Sequence, residues 1–324
     1  DAPTPNIPHI AFVDALNVYG SDKPDMRFNL FLQDFNRVFR QSEFKVFQDS
    51  LQEGNVLKGL VLKGQSDAFT RKVIDKYTDV VKQHGLKGLV VLKNEEAGLS
   101  GSAAKFISDA EYEALKSEYD LEVGDVIFIG TGEWETACMA IGALRLALAN
   151  DFNLIPEDAF AYCWVVDFPM FEMSDEDTLV ARHHPFTAPL EAHIPLLDTD
   201  PLAVTAQAYD LVLNGYEIAG GSMRIHDQEL QEKMFSLIGF TDEQIQKRFG
   251  FFVDAFQYGT PPHGGIAFGL DRYAMALTHS DTIRDVIAFP KNASARCPLT
   301  NAPSLATETQ LHDLHLKIVP KEQK

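Results

Sequence analysis

The chain has 324 residues, of which 45% are hydrophobic, enough for about two globular domains at roughly 100–200 residues each. A net charge of −19 excludes a broad nucleic-acid footprint, because neutralising phosphates needs clustered Lys and Arg. No apolar run approaches the roughly 18–20 residues that span a bilayer, Asp1 opens no signal peptide, and Cys138, Cys163 and Cys297 lack metal spacing, which points to a cytoplasmic protein with reduced, inert thiols and no membrane partner.

In chain order, Pro3, Pro5 and Pro8 make residues 1–9 an extended lead-in. Residues 11–19 read as a short helix ended by Gly20, and the polar run Tyr19-Gly20-Ser21-Asp22-Lys23-Pro24-Asp25-Met26-Arg27-Phe28 reads as a loop. From about residue 31 the pattern changes. Residues 56–63 read as a strand, Thr70 caps a helix reaching Gln83, and residues 88–92 form a buried strand. Ser108-Asp109-Ala110-Glu111 is a capping box that opens another helix, and residues 126–129 form one more strand. This mixture is a self-contained α+β unit over 31–133. Ser102, Lys105 and His84 are isolated within it and read as surface or capping residues.

A helix follows over 135–150, with Ile141, Leu144 and Leu148 inward and Gly142 for close packing. Residues 162–167 form a strand whose antiparallel partner is expected at 179–184, across the acidic loop Ser174-Asp175-Glu176-Asp177. Residues 208–213 and 216–225 form a hairpin, since Asn214-Gly215 suits a two-residue turn. Thr241 caps a helix with Ile245, Phe249, Phe252 and Phe256 at core spacing, and Gly259 ends it. Pro261 and Pro262 interrupt regular structure. Residues 266–268 read as a short buried strand, and Leu270, Tyr273, Ala274 and Leu277 as one face of a helix. From Leu311 the tail alternates weakly and ends in Lys321-Glu322-Gln323-Lys324, a charged, frayed end. The fold class is α+β, mostly antiparallel, with the 31–133 unit inserted between 1–30 and 134–324.

Three constellations carry chemistry. With the two-residue turn, Leu213 pairs Tyr216 and Val212 pairs Glu217, so Glu217 and Asp210 are diagonal neighbours on one face. Such a pair is either solvated or held by a cation; Mg²⁺ is usually bound by one or two carboxylates plus phosphate oxygens. Arg224 lies at an odd offset from Glu217, which places it on the opposite face of a regular strand. A β-bulge or equivalent irregularity between Ile218 and Gly221, best placed at Ala219-Gly220-Gly221, would bring both into one site. Ser222 shares the Arg224 face. His183 and His184 are adjacent, so on a strand they point to opposite sides, which fits one core and one surface histidine. Arg272 sits in the first turn of the helix after Gly269, where it is either a plain surface residue or a grip for an anion.

Gly269-Leu270-Asp271-Arg272 after a Gly-rich strand resembles motif 3 of the class II aminoacyl-tRNA synthetases. The run 249–291, with Tyr258-Gly259-Thr260-Pro261-Pro262-His263 and Ile283-Arg284-Asp285-Val286-Ile287-Ala288-Phe289-Pro290-Lys291, is similar to the bacterial-type aspartyl-tRNA synthetases. Tyr209-Asp210-Leu211-Val212 and Asn214-Gly215-Tyr216-Glu217 match that family's metal- and ATP-binding strands, and His183-His184-Pro185-Phe186-Thr187 matches its histidine motif. The unit 31–133 resembles the inserted domain shared with the B subunit of the tRNA-dependent amidotransferase.

The resemblance implies ATP-dependent activation of L-aspartate to aspartyl-adenylate and transfer to tRNA(Asp), by a homodimer in the full-length protein. It implies Asp210 and Glu217 on Mg²⁺, and Glu217, Gly269, Leu270, Asp271 and Arg272 on ATP. It further implies His183, His184, Ser222 and Arg224 on aspartate, with Arg272, Arg224 and Glu217 acting in catalysis. The family pattern has glycine where this chain has Ala219. Motif 1, motif 2 and the anticodon-binding barrel have no counterpart in these residues, so the chain is expected to be a C-terminal portion that is inactive alone. A free-standing binding module and an asparaginyl relative remain as alternatives. The metal and ATP groups argue against the first, the large insert and the paired histidines against the second.

Overall fold

The computed structural model describes residues 6–319. Pro3, Pro5 and the tail Lys321–Lys324 lie outside the described residues. The chain divides into two compact units, one reaching Gly269 and one starting at Leu270.

In chain order the first unit carries β1 (His9–Ala11), α1 (Phe12–Tyr19), β2 (Gln33–Asp34), α2 (Lys45–Gln52), β3 (Val56–Leu62), α3 (Arg71–Gln83), β4 (Val90–Glu95) and β5 (Gly98–Ser100). It continues with α4 (Asp109–Glu118), β6 (Val126–Gly132), α5 (Trp134–Asp151), β7 (Tyr162–Val166), β8 (Phe171–Met173), β9 (Leu179–Ala181), β10 (Ala208–Leu213), β11 (Tyr216–Met223), α6 (Gln228–Leu237), α7 (Asp242–Phe256) and β12 (Gly264–Phe268). Two five-stranded sheets result, ordered β1-β7-β10-β11-β12 and β2-β3-β6-β4-β5. Among the described residues only the β1–β7 pair is parallel. The architecture is therefore α+β with antiparallel sheets flanked by helices, as the sequence predicts.

One continuous core joins the two sheets through α5. Ile141, Leu144 and Leu148 are buried on it beside Phe12 and Leu16 of α1, Leu60 of β3 and Phe128 of β6. Gly20 ends α1 in the left-handed region, at φ 69. Its carbonyl would lie 2.2 Å from any Cβ at Gly142, so the two glycines let α5 and the end of α1 touch backbone to backbone. Arg145 of α5 is buried and donates to the carbonyls of Asp25, Phe28 and Leu30. This ties down the loop that follows α1.

Several elements depart from the sequence expectation. β7 does not pair with 179–184. Both its edges are taken, by β1 and β10, and Asp167 ends it at φ 58. β9 pairs instead with β8 in a separate ribbon. Thr70 starts α3 but makes no side-chain cap, whereas the Ser108 capping box on α4 is complete. β12 is a strand, yet it is the edge of its sheet, with Ile266 47% and Phe268 63% exposed.

The second unit holds α8 (Leu270–Leu277), a single turn at Ile283–Asp285 and α9 (Glu308–Asp313). Of the apolar stripe expected on α8, Leu270 is 74% and Leu277 46% exposed, and the residue the helix buries is Met275, outside that stripe. The alternation read around Leu311 gives way to α9, because Thr307 and Gln310 form a reciprocal cap that nucleates a turn.

Candidate functional site

β10 and β11 meet through Asn214 at φ 51 and Gly215 at φ 86, the two positive values of a primed turn. Leu213 pairs Tyr216 and Val212 pairs Glu217, as the turn predicts. The next pair is Leu211 with Ala219, so Ile218 is an extra residue opposite β10. The bulge thus sits at Ile218, the first residue of the Ile218 to Gly221 stretch expected to carry an irregularity. It shifts the strand by one residue, and Glu217 then shares a face with Gly220, Ser222 and Arg224.

That face opens on a cavity of about 290 Å³ lined by His183, His184, Thr187, Ala208, Asp210, Glu217, Gly220, Ser222 and Arg224. Ala219, the departure from the family pattern, is 2% exposed and does not line it. A larger cleft of about 500 Å³ lies over β4 and β5, with Arg71, Asp75 and Lys93 on its rim. It gathers none of the motif residues.

The cavity has two chemically opposite ends. At one, Asp210 and Glu217 turn toward the bare backbone of Gly220. A methyl there would stand 2.5 Å from Asp210 Oδ1 and 3.1 Å from Glu217 Oε1. Lys23, from the loop held by Arg145, brings its Nζ to 4.0 Å from Glu217 Oε2. Among the described residues no three His, Cys, Asp or Glu side chains cluster as metal ligands. Two carboxylates completed by the oxygens of a bound phosphate still fit Mg²⁺, a hard ion that takes few protein ligands.

At the other end hydrogen-bond donors accumulate. The segment after β9 runs beside the end of β11, with Ala188 N–H bonded to the Met223 carbonyl and Ile225 N–H to that of Phe186. This carries His184 and Thr187 to Arg224. The Phe186 amide donates to His184 Nδ1 at 3.2 Å, and Arg224 Nη1 lies 3.1 Å from the same nitrogen and in contact with Nε2. Burial, the Arg224 charge and His183 push the His184 pKa down to about 4, so the ring is neutral and has one acceptor nitrogen. Two donors compete for it. Among the described residues Arg224 makes no ion pair with a carboxylate.

His183 packs edge-on against Phe168, with ring centroids 4.8 Å apart. Burial and Arg182 push its pKa down. Both histidines line the cavity, because neither lies on a strand, and strand alternation does not apply to them. Gly269 closes β12 with its N–H on the Ile218 carbonyl at 2.8 Å. Leu270, Asp271 and Arg272 open α8 in the second unit, and all three are exposed. Thr187, which lines the cavity, and Lys23, which neighbours Glu217, are the two positions beside the site that sequence reasoning did not single out. Lys23 stood inside a quoted loop signature and Thr187 inside the histidine motif, but neither pattern says what the side chain meets.

A family profile described as tRNA synthetases class II (D, K and N) matches residues 1–293. The chain is 48% identical over 321 residues to an aspartate–tRNA ligase of Lysinibacillus sphaericus, covering 99% of this chain and 54% of that protein. It is 48% identical over 312 residues to an aspartate–tRNA(Asp/Asn) ligase of Anoxybacillus flavithermus, covering 96% of this chain and 53% of that protein. The chain spans about half the length of these curated relatives. Among solved structures, an aspartyl tRNA synthetase from Entamoeba histolytica aligns with 24% identity and a TM-score of 0.34, over 48% of this chain and 26% of that one.

Proposed function

The chain belongs to the class II tRNA synthetases of the D, K and N group, and from that premise we propose that it is the aspartate-activating portion of an aspartate–tRNA ligase. The observation that carries this reading is the polarity of the cavity: Arg224, His184 and Ser222 gather at one end, Asp210 and Glu217 at the other. The donor end suits the side-chain carboxylate of L-aspartate, whose four lone pairs accept from all three groups. An amide at the same place would turn two N–H groups toward donors. The α-carboxylate then faces the acidic end and attacks the α-phosphorus of ATP. A carboxylate oxygen–phosphorus bond forms and pyrophosphate leaves. The 3′-terminal ribose hydroxyl of tRNA(Asp) next takes the aspartyl group, and AMP leaves.

Asp210 and Glu217 would hold Mg²⁺, which when bound neutralises phosphate charge. Arg272 is proposed as the cation for the terminal phosphate of ATP, at the first turn of α8. Residues 31–133 are proposed as an inserted domain, and homodimerisation is proposed for the full-length protein. The protein's own part in the chemistry is positioning and charge neutralisation.

The test is Arg224→Lys. Lysine keeps the charge and loses the planar fork, so affinity for L-aspartate should fall about 10- to 100-fold, as expected for a charged hydrogen bond, while ATP affinity changes little. Equal binding of aspartate by both proteins in a calorimetric titration rules out Arg224 as the clamp.

A further inference from the structure

Thr187 is 1% exposed and touches two of the three donor groups of the site, Ser222 and His184. Its hydroxyl lies 3.3 Å from Ser222 Oγ and 3.5 Å from His184 Nδ1. A hydroxyl has one proton to donate, and the two neighbours give the network two possible directions. In one, Thr187 donates to His184 and Ser222 donates to Thr187, so that Ser222 offers only lone pairs to the cavity. In the other, Thr187 donates to Ser222, and the Ser222 proton points into the cavity.

His184 decides between them. Its Nδ1 already receives the Phe186 amide at 3.2 Å and has Arg224 Nη1 at 3.1 Å. In one tautomer the Nδ1 lone pair is taken by the Phe186 amide, and in the other Nδ1 carries the ring proton and is itself a donor, so in either the Thr187 proton goes to Ser222 Oγ, 2% exposed itself. No acceptor for the Ser222 proton is seen among the described residues, and the cavity is what remains.

We infer that Thr187 is a positioning residue: its buried hydroxyl fixes Ser222 as a proton donor toward the ligand and thereby favours a carboxylate over an amide at that point. The inference rests on the aspartate reading above. A ligand amide must bring its own N–H donors against Ser222, and a buried donor facing a donor is left unsatisfied. With Thr187 silent, the Ser222 hydroxyl rotates and accepts from an amide as readily as it donates to a carboxylate.

The experiment compares dissociation constants for L-aspartate and L-asparagine by calorimetric titration of the purified chain. Thr187→Val should reduce the preference for aspartate about 10-fold, the worth of one misdirected hydrogen bond, whereas Thr187→Ser should keep it. Ser222→Ala should show a similar loss. Adding Thr187→Val to Ser222→Ala should cost nothing further, since the two act through one proton. Thr187→Ala carries the same test if the valine variant does not fold. The inference is overturned if Thr187→Val keeps the preference, if Thr187→Ser loses as much, or if the valine effect is undiminished in the Ser222→Ala background. A wild-type chain that does not prefer aspartate sinks the aspartate reading and this inference with it. A wild-type preference with an indifferent Thr187→Val sinks the Thr187 inference alone.

Discussion

At His184, burial comes first, then the Arg224 guanidinium, then the neighbouring His183, and together they hold the pKa down at about 4. An unfolded histidine titrates near pH 6.5. Between those values the unfolded chain binds a proton that the folded chain refuses, so this residue's contribution to stability is present above about pH 6.5 and lost as pH falls toward 4. Arg224→Ala removes the second of the three causes. The His184 ring should then titrate at higher pH, still below its ordinary value because burial remains. Following the ring protons by NMR checks this, and an unchanged titration would show that Arg224 does not face the ring. Arg224, Asp210, Glu217 and Ser222 were legible in the sequence because one hairpin carries them and its turn sets the register. Thr187 and Lys23 were not, because Ser222 and Glu217, the neighbours that bring them to the site, lie on segments remote in the chain.

Elements bordered by strong local chemistry were read closely. The Ser108 and Thr241 caps, the Asn214-Gly215 turn and the Gly20 stop all stand where their side chains and φ requirements put them. Partners chosen by long-range packing were read less well. β7 gives no local sign that β1 will take its free edge, and β12 looks like a core strand because composition does not reveal an edge. The bulge was required by parity, but parity does not say which residue is extra; Ile218, buried at 1%, is the one that gains from turning inward. The contact between α5 and the end of α1 yields an element-scale expectation. Gly142→Ala places a methyl 2.2 Å from the Gly20 carbonyl, and backbone cannot step aside as a side chain can. Overpacking of this kind costs about 1–3 kcal/mol. Urea unfolding should show that loss, and a variant as stable as the wild type would mean that the helices separate without penalty.

For the molecule as a whole, the α+β class and the antiparallel order were plain from alternating short apolar runs and hairpin signals. The sharing of one core by both sheets was not, since α5 reads as an ordinary amphipathic helix until Phe128 and Phe12 are found on it together. A chain of net charge −19 still concentrates hydrogen-bond donors at one end of one cavity, and the proposed aspartate site depends on that concentration. The most direct measurement is a crystal structure of the chain with a non-hydrolysable sulfamoyl analogue of aspartyl-adenylate. The side-chain carboxylate of the ligand should lie on Arg224, His184 and Ser222, with the sulfamoyl group toward Asp210 and Glu217. A ligand bound outside this cavity, or bound within it with its carboxylate away from Arg224, would rule out the proposed aspartate site.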